Sequence, residues 1–166
     1  MKNLELLKFR RSIRSFSKKQ ISRADLETIV DMARFAPTAR NVQPWEFVVV
    51  TDGHKLAEFA KLAENARFMA QANACIAVFC VDTKYYLEDG CAATCSILLA
   101  ATALGIGSCW IAGDKKPYSG QINTLLNAPL GMKLISLIAL GYPQDEDVFK
   151  IIEKRSAKEL LHWEKF

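Results

Sequence analysis

Behind Ser22, the apolar residues Leu26, Ile29, Val30 and Ala33 recur at helical spacing, and Ser22 followed three residues later by Asp25 resembles a capping pair. This predicts a helix stopped by Pro37. Leu56, Phe59, Ala60 and Ala63 form a similar face behind Asp52, a candidate N-cap, and Met1 to Arg10 reads as a short helix with Asn3 as cap and Leu4, Leu6 and Leu7 on its apolar side. Strands are expected at Phe47–Thr51, Cys75–Val81 and Lys133–Tyr142. The second is apolar without alternation, as in a central strand covered on both faces. No charge falls between Gly90 and Gly113, but the run is rich in Ala, Ser, Thr, Cys and Gly, so it would insert poorly into a membrane. It predicts a buried helix ending at Gly105, then a short strand, Ser108–Ile111. Pro117 and Gly120 keep any helix between Lys116 and Asn127 short or irregular. In the tail, Ser156 and Glu159 form a capping-box signature before Leu160, Leu161 and Trp163, which need an apolar surface of this chain or of another.

Helices and strands alternate, yet two helices precede any strand, which favours an α+β sandwich over a doubly wound fold. At 166 residues, 51% hydrophobic and 24% charged, the chain reads as a single domain spanning 1–166. Its net charge of +4 is modest, and no basic stripe is interleaved with aromatics, so nucleic acid is not an expected partner. Five cysteines, Cys75, Cys80, Cys91, Cys95 and Cys109, cannot all pair within one chain and show no CxxC spacing. They read as buried free thiols rather than a metal site. The N-terminus has no sustained apolar core or small-residue cleavage site, so a cytoplasmic protein is expected.

Candidate chemistry begins at Arg10-Arg11-Ser12-Ile13-Arg14, where three guanidinium groups and a hydroxyl fall between Leu6, Leu7 and Phe9 on one side and Phe16 on the other. Arginine's planar fork matches phosphate oxygens and stays charged at physiological pH. The cluster therefore reads as an anion site, with solvated surface charge as the alternative. A second stretch, from Ala36 to Trp45, carries two prolines, Asn41 and Gln43 and opens directly onto a strand. It either offers amides and backbone groups to a ligand or is a turn with Trp45 as a core plug.

Four stretches together resemble the FMN-dependent nitroreductase family: Arg10–Arg14, Ala36–Trp45, Leu104–Gly113 and Ala139–Pro143. Their order and spacing cover nearly the whole chain. The resemblance implies a mixed central sheet flanked by helices, in an interlocked homodimer with two FMN sites at its interface. It makes Arg10, Arg11, Ser12 and Arg14 contacts of the flavin phosphate, ribityl and pyrimidine groups, and has Pro37, Thr38, Ala39 and Asn41 reach the same flavin from the partner subunit. Ile111, Ala112 and Gly113 are similar to the segment whose backbone amides face the ring near N5. Asn65 matches a residue on the pyrimidine edge, and either Lys154 or Arg155 serves the phosphate.

The implied activity passes two electrons from NADH or NADPH through FMN to a nitroaromatic, quinone or similar acceptor by a ping-pong mechanism. The alternative is an FMN-binding carrier or redox sensor without steady turnover. No Ser-His-Asp set, close carboxylate pair or HExxH motif is present, consistent with chemistry carried by a cofactor, and His54 and His162 read as surface or packing residues. No GxGxxG fingerprint occurs, as expected where the nicotinamide stacks on flavin and has no pocket of its own.

Overall fold

A computed structural model describes residues 5–145, 149 and 151–166. The first helix, α1, spans only Leu6–Phe9, and the Asn3 cap lies outside the described residues. Helix α2, Arg23–Ala33, starts where the capping pair places it: Ser22 Oγ accepts from Asp25 N–H at 3.0 Å and donates to the Asp25 carboxylate at 2.7 Å. Its apolar face buries Leu26, Ile29 and Ala33. Strand β1, Trp45–Val50, begins two residues before the expected strand, because Trp45 already pairs with Cys80. Asp52 caps α3, Gly53–Leu62, by accepting from Lys55 N–H at 2.9 Å, and a kinked 3-10 stretch, Glu64–Gln71, follows.

Strand β2, Ala74–Cys80, is buried at every position. Helix α4, Tyr86–Ala103, starts one turn before the uncharged run and crosses to β3, Gly107–Ala112. Helix α5 is short, Ser119–Leu125, and leads to β4, Lys133–Gly141. The capping box closes around Ser156 and Glu159 at the start of α6, Ala157–Leu160. No described helix is long and apolar enough to cross a membrane.

The four strands lie in the order β1-β2-β4-β3, and every ladder is antiparallel. Among the described residues the sheet is thus antiparallel rather than mixed: β2 and β3, joined through α4, run parallel to each other but have β4 between them. One face packs on Phe59, Ala63, Met69 and Ile122, and the other on Ile29, Ala33, Ile97 and Ala101. This covering on both faces explains the unbroken apolar run of β2. The cysteines remain free, but only Cys75, Cys80 and Cys109 are fully buried; Cys91 is half-buried and Cys95 exposed, since α4 turns them towards its outer side.

Candidate functional site on the outer edge of β3

Because β3 is an edge strand, its outer backbone groups need other partners. The arginine cluster supplies one. Ser12 forms an isolated parallel bridge with Ser108, and Ile13 N–H donates to the Ser108 carbonyl at 2.9 Å. Ile13 is buried beneath this crossing, and Gly107 permits it: a Cβ there would lie 2.9 Å from Ile13 side-chain atoms. The extended backbone turns successive side chains to opposite sides, so Ile13 anchors the cluster while Ser12 and Arg14 remain exposed.

Among the described residues, no carboxylate lies within ion-pair distance of Arg10, Arg11 or Arg14. Arg11 folds one terminal nitrogen back to the Arg10 carbonyl at 2.7 Å, leaving its buried Nε and second terminal nitrogen without a protein partner. Arg14 reaches over the Phe68 ring at 5.9 Å. Burial pushes the Cys109 thiol up, while Arg14, Ser12 and Arg10 pull it down. The β3 side chain beside the cluster thus feels its positive field. Orphaned guanidinium donors and uncompensated charge fit an anion with several oxygens.

The far end of β3 contributes a backbone donor. Gly113 N–H donates to the Ile135 carbonyl at 2.9 Å, making 113 and 135 a hydrogen-bonded pair. Alternation along an antiparallel ladder then directs the Ala112 N–H away from β4, to the outer edge. Of the three residues Ile111, Ala112 and Gly113, only Ala112 therefore offers an amide to a ligand at this edge. Ile111 presents its side chain, and Gly113 makes the close approach to β4, where a Cβ would lie 2.6 Å from Leu134 Cγ. The Ala112 and Gly113 carbonyls accept from the Tyr118 and Ser119 hydroxyls, which fixes the turn after β3. Sequence reasoning missed both; the hydroxyl-bearing Tyr118-Ser119 pair just after Pro117 was its one visible signal.

Beside the far end of β3 lies a cavity of about 820 Å³ lined by Glu64, Asn65, Ile111, Lys116, Tyr118 and Gln121. Asn65 and Ile111 both line it. From Ser108 to Ala112 the strand covers about 13 Å. A ligand held at both ends needs an anionic tail and an extended body reaching a hydrogen-bonding head.

The Pro37–Asn41 loop is held elsewhere. Thr38 Oγ donates to the Asp89 carboxylate at 2.8 Å, Ala39 N–H donates to it at 3.1 Å, and Gln43 N–H donates to Thr38 Oγ at 3.1 Å. Arg40, Asn41 and Gln43 all have φ near +50°, so the loop is tightly folded, with Asn41 exposed at its tip. Sequence reasoning passed over Asp89 entirely. Lys154 and Arg155 lie in a tail exposed throughout from Ile151 to Phe166, and Arg155 is engaged with Glu159 of its own short helix. The His162 ring lies 4.5 Å from that of Phe166, and His54 is exposed on α3.

The sequence model described as the nitroreductase family matches residues 7–74, and a second, provisionally named TM nitroreductase, matches residues 55–165. A provisionally named NADH dehydrogenase/NAD(P)H nitroreductase of Archaeoglobus fulgidus is 37% identical over 98% of both chains. The structure of an FMN-dependent nitroreductase from Clostridium difficile R20291 superposes with a TM-score of 0.89 at 27% identity, over 98% of this chain and 99% of that one. A provisionally named nitroreductase from Desulfovibrio desulfuricans, solved in complex with FMN, gives 0.82 at 27% identity, over 100% and 98%. The sheet order, the cluster bridged to β3 and a full-length relative above 30% identity converge on one assignment: the chain belongs to the nitroreductase family.

Proposed function

We propose that this protein binds FMN along the outer edge of β3 and is an NAD(P)H-dependent oxidoreductase. The observation that carries the reading is the placement, along one edge strand and about 13 Å apart, of the outward Ala112 amide and an arginine cluster with no acidic partner among the described residues. Bound there, FMN would supply two-electron exchange between a pyridine nucleotide and an acceptor such as a nitroaromatic or quinone. The residues of the chain do the rest. Arg10, Arg11 and Ser12 hold the phosphate and ribityl groups, Arg14 balances negative charge at the pyrimidine edge, and Asn65 hydrogen-bonds that edge. Ala112 N–H faces N5, with Ile111 and Gly113 shaping the backbone around it. Lys154 or Arg155 adds a cation at the phosphate. The cavity bounded by Tyr118, Lys116 and Gln121 admits donor and acceptor in turn, which leads to ping-pong kinetics.

The reading includes a homodimer in which Pro37, Thr38, Ala39 and Asn41 meet the flavin of the other subunit. Two features support it. The tail exposes Ile151, Ile152, Leu160, Leu161 and Trp163, far more apolar surface than a free segment of this length carries without cost. Strand β1 has one open edge, beside a groove of about 920 Å³ lined by Leu26, Val30, Trp45, Phe47 and Val49. The tail of a second copy of this chain is the occupant that matches that groove in character.

The deciding measurement is the visible spectrum of the purified protein, repeated anaerobically with NADH and with NADPH. Flavin bands that bleach and return on adding a quinone or nitroaromatic are the expected result. Bands that neither nucleotide bleaches would favour a flavin carrier or sensor, and a protein that neither contains nor takes up FMN would overturn the reading.

A further inference from the structure

Asp89 is a carboxylate only 5% exposed, and among the described residues no cation lies within ion-pair distance of it. A buried carboxylate is expensive unless hydrogen bonds compensate it. Here one oxygen accepts from Thr38 Oγ and the other from Ala39 N–H, at 2.8 and 3.1 Å, and its place in the first turn of α4 sets it against the positive end of that helix. The same Thr38 oxygen accepts from Gln43 N–H, so both ends of the left-handed Arg40–Asn41–Gln43 turn are tied to one side chain. Three non-glycine residues with positive φ in a span of four are not a conformation the chain adopts unassisted. The clamp supplies the assistance.

We propose that Asp89 is a positioning residue for the cofactor site of the opposite subunit. It holds the Thr38–Asn41 turn in the one shape that leaves Arg40 and Asn41 exposed at its tip, and so sets flavin affinity without itself touching flavin. The proposal rests on the FMN reading above and adds to it a residue on α4, outside both the arginine cluster and the loop. Its sense is specific: because the loop serves the other chain, damage at Asp89 is felt across the dimer.

The test compares FMN dissociation constants for Asp89→Ala, Asp89→Asn, Asn41→Ala and Arg14→Ala, and for mixed dimers made by co-expressing differently tagged Asp89→Ala and Arg14→Ala chains. Asp89→Ala is expected to weaken FMN binding about tenfold or more, because two bonds to a charged acceptor are lost. Asp89→Asn, whose Oδ1 still accepts from Ala39 N–H and whose Nδ2 donates to Thr38 Oγ, rescues most of that loss. In the mixed dimer one of the two sites combines an intact cluster with an intact loop, and it should bind as the unaltered protein does. That recovery would not follow if Asp89 merely stabilised its own chain. If Asp89→Ala does not fold, Asp89→Ser, too short to reach both donors, takes its place in the same comparison. Asn41→Ala weakening FMN while Asp89→Ala does not, or a mixed dimer without a recovered site, overturns the proposal alone. FMN affinity unchanged in Asn41→Ala removes the loop from the flavin and overturns the loop assignment together with it.

Discussion

Ile13 N–H donates to the Ser108 carbonyl at 2.9 Å, and this bond moors the arginine cluster to the edge of the sheet. The bare Cα of Gly107 makes room for it. Gly107→Val places methyl groups where Ile13 sits, and is expected to cost about 1–3 kcal/mol of stability through overpacking. Flavin retention should fall with it. Urea unfolding and FMN titration of the same preparation check both effects.

Arg14 has no acidic partner among the described residues and extends over Phe68, so its removal leaves no buried charge uncompensated. Arg14→Ala is expected to weaken FMN about tenfold to a hundredfold, the worth of one or two charge-assisted bonds. It should also lower the reduction potential of the bound flavin, because a positive charge at the pyrimidine edge favours the reduced, more negative form. Potentiometric titration against a reference dye measures the shift, and an unchanged potential would place Arg14 elsewhere.

Tyr118 donates to the Ala112 carbonyl, and burial pushes its phenol up, so the hydroxyl stays a donor throughout the physiological range. Tyr118→Phe keeps the ring but frees the peptide next to the outward Ala112 N–H. We expect about 1 kcal/mol lost from folding stability. Flavin reduction by NADH or NADPH, followed by stopped flow, should slow severalfold.

Two thiols make folding sensitive to alkali. Burial raises Cys75 and Cys80 from 9.0 to about 12 in the folded protein. Between those values the unfolded chain loses protons that the folded one keeps, so stability is fully present below pH 9 and declines as the pH rises towards 12. The slope approaches about 1.4 kcal/mol per pH unit per thiol. Cys80→Ala should flatten the dependence of the urea midpoint on pH between 9 and 11, although the substitution itself lowers stability.

Deleting residues 151–166 removes every described residue of the exposed apolar tail without touching the sheet. The shortened chain should fold and be monomeric in sedimentation, with FMN affinity reduced because the second loop is lost. A dimer of unchanged affinity would mean that the tail plays no part in assembly.

Local pattern carried much of this protein. The spacing of Leu26, Ile29 and Ala33, the caps at Ser22, Asp52 and Ser156, and the unbroken apolar run of β2 predict elements that the structure contains, because each depends on neighbours within a turn or two of chain. The candidate anion site at Arg10–Arg14 was legible for the same reason: guanidinium donors need no fold to be recognised. What lay beyond the sequence depended on distant partners. That β3 lies at the edge and takes Ser12 alongside it, that Ala112 rather than Gly113 offers its amide outward, and that Asp89 grips a loop 51 residues earlier all follow from strand order and register. These are settled when β4 inserts between β2 and β3 and α4 packs against α2, and no local periodicity encodes them.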